Sequence, residues 1–232
     1  MFTKIHAVWL GNKMSPLALA CVDDWRKQGY DVKVWTEKDT EILTWINNCQ
    51  FAKECFSRGL YAFVSDYLRL KVLAKHGGLY LDTDVTIRRN PFDLFSGYEF
   101  GVGYEDNENI GTAVIFALPH STVLKDAITF YENEVLTSPL FMGPKIMTEI
   151  VSRHQYKSGF EHRVKLFDKE CFYFYDGDGV LPDFSSKSYL VHWFQHSWKN
   201  PKKEVYLKTK HLGFWGKLYV HQKYLFRFKS KK

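Results

Sequence analysis

Two carboxylates separated by one residue follow the apolar segment Leu79-Tyr80-Leu81: they are Asp82 and Asp84. Like charges this close repel each other and lose hydration energy on burial, unless a cation lies between or beside them. Oxygen ligands with open positions suit Mg²⁺ or Mn²⁺ carrying a diphosphate. The D-x-D pattern alone is weak evidence, because it is common in surface turns. The prediction of a metal site therefore depends on the apolar strand that precedes the motif.

A second pair of charges interrupts the otherwise apolar segment 60–76: Asp66 and Arg69. Residues three apart on a helix are neighbours on one face. Buried charges need partners, so one interpretation is that the two side chains simply pair with each other. The functional alternative is that Asp66 accepts hydrogen bonds from sugar hydroxyls while Arg69 reaches a phosphate or a sugar oxygen.

The elements that must position these residues alternate between strands and helices. Apolar runs predict strands at 5–10, 31–35 and 79–81, and helical spacing predicts helices at 16–28, 37–47 and 60–76. The alternation predicts a parallel sheet with helices on its faces. Ligands of such sheets bind beyond the carboxyl ends of the strands, so we expect Trp9 and Trp35 beside a ligand.

The later part of the chain has a weaker pattern. Short apolar runs predict strands at 98–104, 112–118, 164–167, 171–175 and 189–193. Helices are expected at 121–134 and from Gly143-Pro144 onward, since proline suits a first helical turn. After Pro201 the segment is expected to be irregular or helical.

Length and composition fit one globular domain. The chain has 232 residues, 45% hydrophobic and 25% charged, which is enough apolar material for a full core. Four cysteines show no zinc-like spacing, so we expect reduced thiols. With no signal-peptide pattern and no run near the ~20 apolar residues that span a bilayer, we expect a cytoplasmic protein.

The formal charge of +6 is concentrated after Lys199. Such a basic end can attract anionic lipid head groups, nucleic acid or a pyrophosphate-bearing substrate, or it can be a solvated tail. Because no recognised nucleic-acid motif accompanies it, we expect no nucleic-acid partner.

Five segments together resemble the DxD-motif glycosyltransferases of the family 32 type, which include capsular-polysaccharide transferases, the fungal initiating α-mannosyltransferase and glucosylating toxins. The first two run from Ser65 to Arg69 and from His76 to Asp84. Lys4 to Gly11 is similar to the opening strand of that family, and Met142-Gly143-Pro144 is similar to its Thr-Gly-Pro helix start. Val191 to Trp198 resembles its terminal His-rich segment ending in Ser-Trp.

The resemblance implies an α/β protein with a GT-A type, Rossmann-like mixed sheet flanked by helices. A single domain at 1–200 would contain a nucleotide-binding half at 1–85 and an acceptor half at 86–200, followed by a basic aromatic extension at 201–232. The implied reaction moves a hexose from a nucleotide sugar, a UDP-sugar by resemblance, with retention of configuration and with Mn²⁺ or Mg²⁺. The acceptor would be a glycan or a lipid-linked oligosaccharide of surface polysaccharide synthesis. Peripheral contact with the inner membrane face would use the basic C-terminus.

The resemblance also implies roles for single residues. Trp9 would stack on the donor base, Asp66 and Arg69 would bind the sugar, and Ser197 and Trp198 would cover the diphosphate. Asp82 would contact the ribose, or the metal through water, and Asp84 would bind the metal directly. His192 would be the last protein ligand of the metal. The family's His-His pair is His192-Trp193 here and His196 precedes Ser-Trp, so both histidines stay candidates, with His192 favoured.

Two other functions fit parts of the sequence. The run Asp82 to Thr86 matches the DxDxT motif of haloacid-dehalogenase-type phosphatases, in which Asp82 would be the nucleophile. That motif normally follows the first strand of its domain, whereas two strand–helix units precede it here. A non-catalytic sugar-binding module would explain the aromatic residues but not the organised acids. The acidic segment 105–109 follows a predicted strand and could meet the sugar or the acceptor, although a solvated loop is the favoured interpretation.

Overall fold

The computed structural model describes residues 4–11, 13–177, 179–180, 186–195 and 201–227. Eight strands are present among them: β1 Lys4–Val8, β2 Asp31–Trp35, β3 Gly78–Leu81, β4 Val85–Ile87, β5 Phe100–Tyr104, β6 Ile110–Ala117, β7 Val164–Phe167 and β8 Leu190–His192. Six form one sheet in the order β2-β1-β3-β6-β5-β7. β1 runs parallel to β2 and β3, whereas β6 is antiparallel to both β3 and β5. The sheet is therefore mixed, and β4 and β8 form a separate antiparallel pair.

The helices are α1 Pro16–Lys27, α2 Thr40–Asn48, α3 Gln50–Ser57, α4 Tyr61–His76, α5 Thr122–Thr129, α6 Gly143–Gln155, α7 Phe160–Arg163, α8 Lys169–Phe172, α9 Pro201–Thr209 and α10 Phe214–Arg227. A 3₁₀ turn covers Phe92–Phe95, and a π-helical turn at Phe130–Glu134 continues α5. No helix in the described part of the chain is both long and apolar enough to cross a membrane.

The central strands of the sheet contribute side chains to two cores, one on each face. In β1, Ile5 and Ala7 pack against the core that contains Trp25 of α1, while Val8 packs against the core formed with α2 to α6. Successive strand residues point to opposite faces, so a sheet covered on both sides needs apolar residues at consecutive positions. This is why β1, β3 and β6 are continuous apolar runs, as the sequence shows.

Two glycines turn the chain from α4 into β3. Gly77 and Gly78 have φ values of +63° and +101°, which side chains rarely tolerate. A Cβ atom at Gly78 would lie 2.7 Å from the carbonyl oxygen of Lys4 in the neighbouring strand. The turn therefore lets β3 pair closely with β1, and it fixes where Asp82 and Asp84 leave the sheet.

The predicted mixed α/β fold is confirmed, and two local predictions are wrong. The purely parallel arrangement inferred from the first strands fails at β6, which runs antiparallel. The strand expected at 171–175 is replaced by the end of α8 and by residues without regular secondary structure. Phe172 and Tyr173 are both buried there, close to the bare backbone of Gly103 and Gly111. Their apolar character thus reflects packing on the end of the sheet rather than strand pairing.

Candidate active site

An open cavity of about 420 Å³ lies beyond the carboxyl ends of β1 and β3. Most of the residues singled out in the sequence line it, together with further residues of α4 and β6 and residues that follow β5 and β8. The lining includes Trp9, Tyr61, Phe63, Asp66, Arg69, Asp82, Asp84, Glu105, Met142, His192 and Phe194. Cavities of this size bind drug-sized or cofactor-sized ligands.

Three potential metal ligands converge on one wall of the cavity. Asp82, Asp84 and His192 each offer one atom, and these atoms lie within 4.8 Å of one another. His192 is brought there by the antiparallel pairing of β8 with β4, in which His192 lies opposite Val85. The pairing is extended when Trp193 donates its backbone N–H to the carbonyl of Asp84 at 2.9 Å. Two carboxylates and an imidazole are a donor set that a divalent cation accepts.

The charges of Asp84 and His192 depend on each other. The His192 Nε2 atom lies 3.4 Å from Asp84 Oδ1. Burial opposes ionisation of both groups, yet the neighbouring His192 lowers the pKa of Asp84 and the Asp84 carboxylate raises the pKa of His192. The backbone N–H of Gln195 also donates to Asp84 Oδ2, at 2.9 Å.

One ring nitrogen of His192 is unusual. Its Nδ1 atom is buried and has no hydrogen-bond partner among the residues that the structure describes. Buried polar atoms without a partner are rare in native proteins.

Arg69 holds two of the site's carboxylates together. Its Nη2 atom lies 2.9 Å from Asp66 Oδ1 and 3.3 Å from Asp82 Oδ1. Its Nη1 atom donates to the carbonyl of Thr112 at 2.6 Å, and the side chain is only 4% exposed. The first interpretation of the sequence, in which Asp66 and Arg69 pair with each other, is therefore confirmed. Because it extends to Asp82, the same guanidinium also positions the D-x-D motif.

Asp66 is held against the first residue of α6. The backbone N–H of Gly143 hydrogen-bonds to its carboxylate. Burial raises the pKa of Asp66 to about 6, although Arg69 and this hydrogen bond oppose the rise. A Cβ atom at Gly143 would lie 2.7 Å from Asp66 Oδ1 and 2.8 Å from Oδ2. The predicted helix start at Gly143-Pro144 is confirmed, and glycine is the residue that leaves room for Asp66.

The two tryptophans at the strand ends differ in their surroundings. Trp9 lines the cavity as expected. The prediction for Trp35 is wrong, because its indole is buried and donates from Nε1 to His6 Nδ1 at 3.1 Å. The position of a residue at a strand end does not determine which face its side chain takes. His196, Ser197 and Trp198 lie outside the described residues.

Two further residues belong to the surroundings of the D-x-D motif and the cavity: Tyr80, which is buried, and Glu105. The Tyr80 hydroxyl donates to Asp82 Oδ1 at 2.7 Å, and the Arg69 guanidinium lies 4.7 Å from the centre of the Tyr80 ring. Glu105, directly after β5, lines the cavity rather than forming part of a solvated loop. Burial raises its pKa. Its neighbours Asp106 and Glu108 are exposed, as expected.

The arrangement of that loop explains why Glu105 differs from its neighbours. The Asp106 carboxylate accepts hydrogen bonds from the backbone N–H groups of Glu108 and Asn109 at 2.8 and 2.7 Å. This closes a tight turn on the solvent side. The position of Glu105 directly after an apolar strand is the signal on which the less favoured alternative, contact of this loop with the sugar or the acceptor, is based.

Comparisons with known proteins agree with this site. A protein-family model described as "Glycosyltransferase sugar-binding region containing DXD motif" matches residues 12–101, which include Asp66, Arg69, Asp82 and Asp84. "Subversion of eukaryotic traffic protein A" of Legionella pneumophila is 30% identical over 107 residues. That alignment covers 35% of this chain and 17% of the relative, so the chain corresponds to a small part of that protein.

A solved structure titled "PaToxG Glycosyltransferase" has the same overall architecture. The two structures superpose with a TM-score of 0.50 at 19% sequence identity, covering 69% of this chain and 71% of the other. At that identity the likeness concerns the fold, a mixed sheet flanked by helices in a GT-A-like arrangement. The matched sugar-binding region, residues 12–101, contains both acids of the D-x-D motif, and together with the converging ligands it supports a glycosyltransferase of the DXD type.

Proposed function

We propose that the chain transfers a hexose from a nucleotide sugar, with UDP as the nucleotide, to a glycan or lipid-linked acceptor. The observation that carries this proposal is the convergence of Asp82, Asp84 and His192 within 4.8 Å beside the buried Arg69. In the proposed division, residues 1–85 bind the nucleotide and residues 86–200 meet the acceptor. Residues of both parts, 1–85 and 86–200, line the same cavity, as a site that binds donor and acceptor together requires.

The donor set of two carboxylates and one imidazole fits a divalent cation of the Mn²⁺ or Mg²⁺ type. Asp84 and His192 would hold the ion directly, and Asp82 would contact it through water or bind the ribose. Bound there, the ion supplies positive charge beside the diphosphate leaving group.

Arg69 and Asp66 would bind the sugar and the departing phosphate. The guanidinium is already fixed by Asp66, Asp82 and the Thr112 carbonyl, so it needs no reorganisation when negative charge grows on the leaving group. One preorganised charge-stabilising group of this kind is worth ~2.7–4 kcal/mol in rate terms. The Asp66 carboxylate, which lines the cavity, would accept hydrogen bonds from sugar hydroxyls.

The apolar end of the cavity suits a nucleotide base. Trp9 and Tyr61 both line it, with Leu10 and Phe63 beside them. A flat base gains contact area by stacking on an aromatic ring. We propose that Trp9 provides this stack. Ser197 and Trp198 are proposed to cover the diphosphate, as the resemblance implies.

We propose that transfer retains the anomeric configuration through attack of the acceptor hydroxyl on the face that the diphosphate leaves. The bond between the anomeric carbon and the phosphate oxygen breaks, a bond to the acceptor oxygen forms, and the hydroxyl proton passes to the departing phosphate. Among the described residues, Glu105 lies in the cavity wall on the acceptor part of the chain. It would orient the acceptor hydroxyl by accepting a hydrogen bond. Isolation of a covalent sugar–protein adduct would refute this single-step route.

The phosphatase hypothesis is not favoured by the surroundings of Asp82. Its Oδ1 atom accepts the Tyr80 hydroxyl at 2.7 Å, and Arg69 Nη1 lies 3.4 Å from its Oδ2 atom. An attacking carboxylate needs a free oxygen directed at the phosphorus. Both oxygens are instead engaged in positioning contacts.

The test is nucleotide release from a panel of UDP- and GDP-sugars, with Mn²⁺ and with chelator. Metal-dependent release from one donor would identify that donor, and mass analysis of the product formed with glycan acceptors would identify the linkage. Release that is indifferent to chelator would contradict the proposal. We further propose a role in surface polysaccharide synthesis at the inner membrane face. If the protein transferred the sugar to free oligosaccharides but not to lipid-linked oligosaccharides, that result would count against this role.

A further inference from the structure

The last two helices are attached to the domain through α9. Leu207 is fully buried in the larger core, and the Arg58 guanidinium lies 4.4 Å from the centre of the Tyr206 ring. The buried Lys210 donates from Nζ to the carbonyls of Val135 and Ser138. These contacts tie α9 to α3 and to the chain after the π-helical turn. The helix that follows, α10, is therefore held in place at its N-terminal end.

α10 carries a large apolar surface that nothing in the described part of the chain covers. Phe214, Trp215, Leu218 and Tyr219 are 71%, 76%, 42% and 65% exposed. Their spacing of i, i+1, i+4 and i+5 places them on one side of the helix, which we call the aromatic face. The other large apolar residues exposed in the described ranges, Leu19, Leu43, Tyr156 and Val180, lie on separate elements. Scattered exposed apolar residues are normal, but a contiguous group marks an interaction site.

The charged residues of α10, and of the sequence that follows it, have one sign. From Val205 to Lys232 the sequence has eight Lys and Arg residues and no Asp or Glu. Lys217, inside α10, is exposed beside the aromatic face. A protein partner would have to supply both acids and an apolar groove, and a second copy of the chain would bring a second set of positive charges. A bilayer containing anionic lipid supplies negative charge and an apolar layer together.

We propose that α10 lies in the plane of an anionic lipid bilayer, with its aromatic face in the boundary between head groups and acyl chains. Trp and Tyr favour this boundary because they have an apolar ring and a polar group. Helices with Trp, Phe and Leu on one side and Lys or Arg on the other bind there. Each basic residue near an anionic surface adds about 1 kcal/mol of attraction, which salt weakens.

This position would bring the membrane beside the catalytic cavity. Arg58, which packs on Tyr206 of α9, is followed directly by Gly59 to Tyr61, which line the cavity. A lipid-linked acceptor held in the same bilayer would then be presented next to the rim of the site. This last step rests on the proposed function, whereas bilayer binding itself does not.

The experiment is flotation of the full chain with vesicles of phosphatidylcholine alone or mixed with phosphatidylglycerol. We expect flotation with the anionic vesicles, reduced by high salt, and a loss of at least about tenfold in affinity for the double variant Phe214→Ser/Trp215→Ser. Tyr156→Ser removes an equally exposed aromatic residue elsewhere and should bind like the wild type. Circular dichroism checks that each variant is folded.

Two results would overturn the proposal. One is wild-type protein that does not float with anionic vesicles, and the other is a double variant that binds as well as Tyr156→Ser. A dimer in light scattering that the double variant abolishes would mean that a second copy covers the face. Metal-dependent nucleotide release in solution should be the same in both variants, so a failure of bilayer binding is distinguishable from a failure of the catalytic proposal.

Discussion

The contact between Gly143 and Asp66 makes a sharp prediction about the substitution Gly143→Ala. The added Cβ atom would lie 2.7 Å from the Asp66 Cγ and Oδ1 atoms. Non-bonded carbon–oxygen contacts start near ~3.3 Å. The carboxylate must therefore retreat by roughly 0.6 Å, which weakens its 2.9 Å contact with Arg69 Nη2 and its hydrogen bond from the Gly143 backbone.

The expected effect falls mainly on activity. Overpacking a well-packed position costs ~1–3 kcal/mol of stability. Misplacing a positioning group by about 1 Å can cost ~10²-fold in rate. Since the shift here is somewhat smaller, we expect kcat/KM for nucleotide release to fall by ~10- to 100-fold in a protein that stays folded at assay temperature.

A double-mutant cycle separates this mechanism from general damage. Steady-state release of nucleotide is measured for Gly143→Ala, Asp66→Ala and the double variant, with thermal unfolding of each. If Gly143→Ala acts through Asp66, it should lower activity little further once the Asp66 carboxylate is absent. Gly213→Ala is the matched control, because a Cβ atom at Gly213 meets nothing within 4 Å.

Two outcomes would refute the reasoning. Wild-type activity in a folded Gly143→Ala protein would mean that the position of the Asp66 carboxylate is unimportant. A full additional loss in the Asp66→Ala background would mean that the substitution acts by another route.

Three further predictions test single groups. Arg69→Lys keeps the charge but loses the fork that joins two carboxylates, so kcat should fall by ~10²–10³-fold; a loss below tenfold in the kinetic assay would contradict this. Glu105→Gln should raise the KM for the acceptor while donor hydrolysis stays within about threefold, and an unchanged acceptor KM would remove Glu105 from the proposal. Burial lowers the pKa of His6 from 6.5 to about 4, so only the unfolded chain binds a proton between these values. The stability due to neutral His6 should be complete above pH 6.5 and fall by ~2–3 kcal/mol on acidification to about pH 4.5. Denaturant melts should show a shallower pH slope for His6→Gln than for the wild type, and equal slopes would count against the assignment.

Local features of the site could be predicted from the sequence. The apolar run before Asp82, the two glycines before it and the spacing of Asp66 from Arg69 all act within one helix–turn–strand unit. The position of these residues relative to one another can therefore be predicted without knowledge of the rest of the chain. The structure adds that Arg69 reaches Asp82 as well as Asp66, which depends on how α4 packs against β3.

Long-range contacts could not be derived in this way. His192 comes next to Asp84 only because β8 pairs with β4, and the sequence pointed to it through resemblance alone. Trp35 was misplaced because a strand-end position does not specify which face of the sheet a side chain takes. The run from Cys171 to Tyr175 was misassigned since a short apolar segment has the same pattern whether it pairs as a strand or packs on the sheet's end.

The most direct test of the central claim is calorimetric titration of the protein with UDP, with Mn²⁺ present and with chelator. If Asp82, Asp84 and His192 hold a cation that binds the diphosphate, UDP should bind the wild type only with Mn²⁺. Asp84→Asn should lose that binding, whereas Asp126→Asn, which alters a carboxylate paired with His154 away from the cavity, should keep it. UDP binding of equal strength with chelator, or in Asp84→Asn with Mn²⁺, would contradict the account.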